Sequence, residues 1–283
     1  MLTGFIDRTK RFYFRQYATL ALARGSATAV TRELDPVDPL TWEFSAFSQN
    51  GEDGIIDYLS RKVDRANRYF VEIGASKGME NNTSWLAVGR KYNGLWVEGN
   101  SSNSKTAEKM IAPLNLGVEC LNMQVTPDNV SDVKEKALHA DPDVFSLDID
   151  GMDYYVMKAL FEQGFRPKIC VVEYNSAFGP EMKSTIAFRD NFDYEEAHSS
   201  KLYFGVSISG WKTFFERNEY DFVTVDSNGV NALFVAREAF DPEFVSGLKG
   251  LDYRENYYQT RKFKSSWMEQ YKYISDMEFM DIE

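Results

Sequence analysis

From residue 69 onward the chain alternates short apolar runs with stretches whose apolar positions recur every three or four residues. Runs of the first kind read as buried strands and stretches of the second as amphipathic helices; their alternation predicts βαβ units on a parallel sheet. Strands are predicted at 69–74 (YFVEIG), 94–99 (GLWVEG), 117–123 (GVECLNM), 143–149 (DVFSLDI) and 168–174 (KICVVEY). The helices between them are NNTSWLAVGRKY, SNSKTAEKMIA, PDNVSDVKEKALHA and DYYVMKALFEQG, the third with a clear start at Pro127 and Asp128. The rhythm breaks over residues 176–206, a polar and aromatic insertion of the kind that forms lids and substrate loops. After a helix at SGWKTFFERN, the runs YDFVTV and GVNALFVA flank DSNG, whose turn residues make the last two strands an antiparallel hairpin. The expected fold is thus an α/β, doubly wound, Rossmann-like sheet of about seven strands with the last hairpin antiparallel. Residues 1–43 read as a basic helical extension, 44–240 as the main domain carrying the insertion, and 241–283 as a C-terminal helical extension.

Charge narrows the range of partners. The net charge of −11 argues against nucleic acid, whose phosphates require a basic surface. The balance is uneven: Arg8, Lys10, Arg11, Arg15, Arg24 and Arg32 stand against Asp7 alone in residues 1–32, leaving the remainder more acidic than the whole. A basic, aromatic helix of this type suits peripheral contact with an anionic membrane, docking on the acidic body, or an oligomer contact. No apolar run reaches the roughly 18 residues of a membrane span, and no secretory signal pattern is present. Cys120 and Cys170 lie in apolar runs as reduced core residues, so a cytoplasmic protein is expected.

The pentapeptide GASKG (74–78) is the first candidate for chemistry, and two cofactors compete for it. A nicotinamide cofactor needs a third glycine two positions on, where Glu80 stands. The pair Tyr154 and Lys158 imitates the Tyr-x-x-x-Lys of short-chain dehydrogenases, but any helix places such residues at i and i+4. S-adenosylmethionine carries no phosphate, so a turn that holds it does without that third glycine. Its amino-acid head, sulfonium and ribose diol suit Glu72 on the first strand, Gly74, Ala75 and Gly78 in the turn, and Glu98 ending the second strand. An NAD(P)-dependent oxidoreductase and a non-catalytic binding module on the same fold remain the alternatives.

Six ordered segments, FSQNGEDGII (47–56), FVEIGASKGMENNT (70–83), GLWVEGN (94–100), FSLDIDGMDYYV (145–156), VVEYN (171–175) and GVNALFVA (229–236), resemble the FkbM-like family of S-adenosylmethionine-dependent methyltransferases. The likeness is to its bacterial "SQNGED" branch, linked to polysaccharide and lipopolysaccharide modification; it departs at Ser76 and Lys77, where smaller or acidic residues are usual. The resemblance implies a class I methyltransferase fold and O-methyl transfer to a hydroxyl of a sugar or glycan-type acceptor.

Ligands of open α/β sheets bind beyond the carboxyl ends of the strands. The fourth strand ends there in Asp148 and Asp150 and the fifth in Glu173 and Asn175. Asp148 or Asp150 is the expected general base, sharing a face by alternation if the strand persists. Glu173 and Asn175 would bond the acceptor, and His198 is a second base candidate on the insertion. The competing role for Asp150 or Asp153 is a helix N-cap. Asp148, Asp150 and Glu173 are also a donor set for Mg²⁺ or a similar hard ion. Gln49 and Glu52 are expected over the methionine end of the cofactor, Asn82 and Thr83 at the helix start after the turn, and Met123 and Gln124 beside the adenine.

Overall fold

The computed structural model describes the backbone from residue 2 and side chains from residue 12. Arg8, Lys10 and Arg11, half of the expected basic face, lie outside the described side chains. The first helix, α1 (Leu2–Thr31), is fixed to the body by its second half. Ala18 and Ala21 are buried there, Arg24 donates to the Ala46 carbonyl, and a side chain at Gly25 would strike Ala46 and Trp85. Then come α2 (Glu52–Ser60), β1 (Tyr69–Ile73), β2 (Asn93–Glu98), α3 (Ser101–Ile111), β3 (Val118–Asn122), α4 (Val130–Lys136), β4 (Val144–Leu147), α5 (Asp153–Glu162) and β5 (Ile169–Glu173). The insertion contributes β6 (Ser184–Ile186) and α6 (Tyr194–Ala197) before α7 (Ile208–Arg217), β7 (Tyr220–Val225) and β8 (Asn231–Ala236). Three short helices follow, α8 (Pro242–Ser246), α9 (Tyr257–Phe263) and α10 (Trp267–Tyr271), and then β9 (Phe279–Asp281).

Seven strands form one sheet in the order β3-β2-β1-β4-β5-β8-β7, with β8 antiparallel to both β5 and β7. This is the doubly wound, Rossmann-like sheet of seven strands with an antiparallel last hairpin that the sequence predicts. The chain winds outward through β2 and β3, then crosses back to β4 on the far side of β1, which opens a crevice at the carboxyl ends of β1 and β4. The central strands are buried throughout because layers cover both faces, which is why they read as continuous apolar runs.

Three differences from expectation have local causes. The helix predicted after GASKG shrinks to one π turn, Trp85–Gly89, because Asn81, Asn82 and Thr83 are drawn into bonds with the preceding turn and strands. The fourth strand stops at Leu147, so alternation does not pair Asp148 with Asp150; Asp150 instead lies in the left-handed region at φ +54°. The terminal stretch expected to be helical also supplies β9, which pairs antiparallel with β6. At three residues, β9 is too short to show a period. That pairing seats the insertion on a second apolar cluster containing Phe178, Ile186, Leu202, Tyr203 and Ile274. No helix among the described residues is long and apolar enough to cross a membrane.

Candidate active site

Both glycines of the turn answer to close approaches. Gly74 has φ +89° and sits so near β4 that a Cβ would lie 1.7 Å from the Asp148 carbonyl oxygen. Gly78 has φ +67°, and its Cβ would meet the Trp96 ring at 2.6 Å. The N–H groups of Gly74 and Ala75 both reach the Val97 carbonyl, which carries the turn across the end of β2. Glu98, at the end of that strand, accepts the Ser76 N–H on one carboxylate oxygen and the Asn100 N–H on the other, each at 2.7 Å. Each oxygen keeps a lone pair for a hydroxyl donor. Lys77 is exposed and does not line the cleft.

A cleft of about 740 Å³ opens over these carboxyl ends, a volume that accommodates a cofactor and a small acceptor together. Glu98, Met123 and Gln124 line one end and Asp148 and Asp150 the other, with the insertion segment 188–192 as the outer wall. The sheet register explains the polar end. Ile73 pairs with Leu147, Leu147 with Val172, and Glu173 with Asn231, so one residue past Leu147 a row runs across Gly74, Asp148, Glu173 and Asn231. Facing residues of adjacent strands project to the same side of a sheet. One carboxylate oxygen from each of Asp148, Asp150 and Glu173 lies within 4.8 Å of the others. Burial, reinforced by the neighbouring carboxylates, holds Asp148 and Glu173 well above the usual carboxylate range. Partial burial, then the charges of Asp153 and Glu195, push Asp150 up to about 6.

Several residues expected in the site lie beneath or beside it. Glu72 is buried under the turn and accepts the Asn82 N–H at 2.9 Å, the Thr83 N–H at 3.2 Å and the Thr83 hydroxyl at 2.5 Å. Thr83 in turn accepts from the Trp96 indole, and the Asn82 amide donates to Ser146. These three stitch the turn to β2 and β4 rather than face the cleft. Glu52 is likewise buried, accepting from the Asn50 N–H, the Asn50 amide and the Asn231 amide, while Gln49 donates to Glu80. Asn175 is completely buried; its amide donates to the carbonyls of Leu202 and Phe204, and its oxygen accepts the Ala177 N–H. It braces the insertion against β5 and does not line the cleft. His198 closes a local turn with Ser200 and is absent from the cleft lining. Asp153 caps no helix; its carboxylate turns back to the loop before α5.

The dehydrogenase-like pair is also dispersed. Tyr154 packs against Trp211 and Phe214, and Lys158 pairs with Glu162, so neither lines the cleft. Sequence reasoning missed the particular role of residues 188–192. Of the insertion's aromatics Phe178, Phe188, Phe192, Tyr194, Tyr203 and Phe204, which the sequence does not tell apart, Phe178 and Tyr203 are core while Phe188, 47% exposed, and Phe192 reach the cleft. Phe178 and Tyr203 pack edge-on against Phe279 of β9, which pairs with β6.

Two buried carboxyls set a pH dependence. Asp53 takes the N–H groups of Ala46, Phe47 and Ser48 on Oδ2 and leaves Oδ1 buried without a partner, a seat for a proton. Burial outweighs these N–H donors and pushes Asp53 to about 7; burial likewise raises Glu72 to about 7. Both stand above their unfolded values, so the folded state holds more protons between roughly pH 4 and 7 and stability falls as pH rises through that window. Urea unfolding is expected to show a lower midpoint at pH 7.5 than at pH 5. Glu72→Gln flattens part of that slope, and an unchanged slope in the variant would remove Glu72 from the account.

No family model matches the chain, and no curated protein matches it. Solved structures do. The O-methyltransferase TomG from Streptomyces achromogenes, in complex with SAM, is 14% identical with TM-score 0.44; the match covers 76% of this chain and 89% of that one. An O-methyltransferase from Bacillus cereus in complex with SAH is 15% identical with TM-score 0.44, covering 78% and 90%. Cofactor-bound Rv0187 from MTB is 19% identical with TM-score 0.45, covering 77% and 89%. What the chain is similar to in these proteins is their fold.

Proposed function

We propose that the chain is an S-adenosylmethionine-dependent methyltransferase that methylates a hydroxyl oxygen of a sugar or glycan-type acceptor. The observation that carries this reading is one continuous cleft lined by Glu98, Met123 and Gln124 and by Gly74, Asp148 and Asp150, with a Glu173 carboxylate oxygen within 4.8 Å of those of both aspartates. The cofactor fits the residues present: Glu98 offers lone pairs to a ribose diol, Met123 and Gln124 flank the adenine side, and an acidic wall complements a sulfonium. When bound, S-adenosylmethionine supplies an electrophilic methyl group. The chain supplies position and a proton acceptor. Asp150 is the base: raised to about 6, it remains mostly ionised at neutral pH while still matched to proton transfer. Asp148, which also lines the cleft, orients the acceptor hydroxyl, with the Glu173 carboxyl beside it. Phe188 at the mouth offers an apolar face to a sugar ring.

Calorimetry with S-adenosylhomocysteine and, in parallel, NADH tests the cofactor. Binding of the former alone is expected, and binding of NADH alone would replace the reading with hydride transfer. With an acceptor in hand, Asp150→Asn is expected to cut transfer at least about 100-fold while leaving S-adenosylhomocysteine affinity within about twofold. Unchanged transfer would remove Asp150 as base. The three clustered carboxylates favour a second component, a hard divalent cation such as Mg²⁺ held by Asp148, Asp150 and Glu173, which would acidify the acceptor hydroxyl. Chelator-treated protein would then lose transfer and regain it with Mg²⁺; full activity after chelation excludes the ion.

A further inference from the structure

The structure assigns to Asp153 the role of positioning Asp150, by clamping the two peptides that flank it. This rests on the reading of Asp150 as a working group of the cleft. Asp153 is only 1% exposed, and its two carboxylate oxygens are divided between two donors. Oδ1 accepts the Ile149 N–H at 3.0 Å and Oδ2 the Gly151 N–H at 2.9 Å. Between those two peptides Asp150 is turned into the left-handed region, at φ +54°, a conformation uncommon outside glycine although aspartate is among the residues that tolerate it best. β4 has ended at Leu147 and its last ladder bond to β1 is that of the Asp148 N–H to the Ile73 carbonyl, so no such bond holds residues 149–151. In an extended backbone Asp148 and Asp150 would be spaced by the pleat; the left-handed turn instead brings the Asp150 carboxylate within 4.8 Å of both Asp148 and Glu173.

The loop is held on its outer side as well. The Gly205 N–H donates to the Gly151 carbonyl at 3.2 Å, and a side chain on Gly151 would strike the Phe192 ring at 2.5 Å. Asp153 therefore grips from beneath what the insertion covers from above. Asp153 is set apart from Asp148, Asp150 and Glu173 by having both oxygens committed to the backbone.

Crystal structures of the full chain and of Asp153→Ala, each soaked with S-adenosylhomocysteine, test the assignment. In the variant, Asp150 is expected to relax to negative φ and its carboxylate to leave the other two, beyond the present 4.8 Å. Calorimetric affinity for S-adenosylhomocysteine stays within about threefold, because the turn and Glu98 are untouched. Transfer falls about 100-fold, the scale of a misplacement near 1 Å. A purely structural Asp153 would lower the unfolding temperature and leave Asp150 in place; Asp150 unmoved at φ near +54° overturns the proposal. Should the alanine variant fail to fold, Asp153→Asn keeps one acceptor for the two N–H groups and is expected to show Asp150 displaced or in two conformers. A wild-type Asp150 geometry in that variant is equally fatal. Failure of S-adenosylhomocysteine to bind either protein would instead strike the cofactor reading, while the position of Asp150 remains directly visible.

Discussion

Gly74→Ala is expected to abolish S-adenosylhomocysteine binding and to destabilise the fold by about 4 kcal/mol or more, in the range reserved for backbone-level conflicts. The added Cβ would lie 1.7 Å from the Asp148 carbonyl oxygen, and that neighbour is main chain, which no rotamer change can move aside. At φ +89° the alanine is strained as well. Relief requires β1 and β4 to part at their carboxyl ends. That is where the Asp148 N–H donates to the Ile73 carbonyl and where the cleft begins. Gly164→Ala is the matched control: it too has positive φ, +78°, but nothing lies within 4 Å of its would-be Cβ. Its cost is the backbone preference alone, about 1 kcal/mol, with cofactor binding retained. Chemical unfolding and calorimetry on the two variants separate contact from conformation. Similar losses in both would show that the approach to Asp148 does not matter.

That contrast marks what could be read from the letters. GASKG announces a turn that needs glycine, and the alternation of apolar runs fixes the order of strands around it; both are local properties. The carboxylates at the ends of the fourth and fifth strands were legible for the same reason, since the end of a strand can be seen in sequence and the crevice lies at strand ends. Their mutual geometry was not. Asp148 meets Glu173 through a register between strands, and Asp150 joins them through a left-handed turn held by Asp153. Neither leaves a periodic trace. Glu72, Asn82 and Thr83 show the opposite error: they sit where a cofactor contact belongs in sequence, yet their hydrogen-bonding groups face one another, Trp96 and Ser146. A buried polar group must find partners, and whether these are protein or ligand depends on tertiary packing. The insertion divides in the same way, into core and cleft residues, through a pairing with a segment nearly 100 positions away, Ser184 with Asp281.

Lys168→Met is expected to cost about 3–5 kcal/mol of stability while leaving cofactor affinity unchanged in the protein that stays folded. Lys168 is 8% exposed, just before β5, and its ammonium bonds the Asp143 carboxylate at 2.8 Å and the Arg65 carbonyl at 3.0 Å. Asp143, fully buried just before β4, also accepts the N–H groups of Asn67 and Arg68 ahead of β1. One ion pair thus ties together the amino-terminal ends of the three central strands, at the end of the sheet away from the cleft. Removing the cation strands a buried carboxylate with two N–H donors and no counter-charge, which is far costlier than losing an exposed pair. The double variant Lys168→Met, Asp143→Asn removes both charges, and its loss is expected to be smaller than the sum of the single losses by 1 kcal/mol or more, roughly the coupling of residues in one network. Urea unfolding supplies all three numbers. Simple additivity would mean that the pair contributes nothing as a pair. A parallel loss of S-adenosylhomocysteine affinity in folded Lys168→Met would mean that the two ends of the sheet are not independent, which would undercut reading Gly74→Ala as a local insult to the cofactor site.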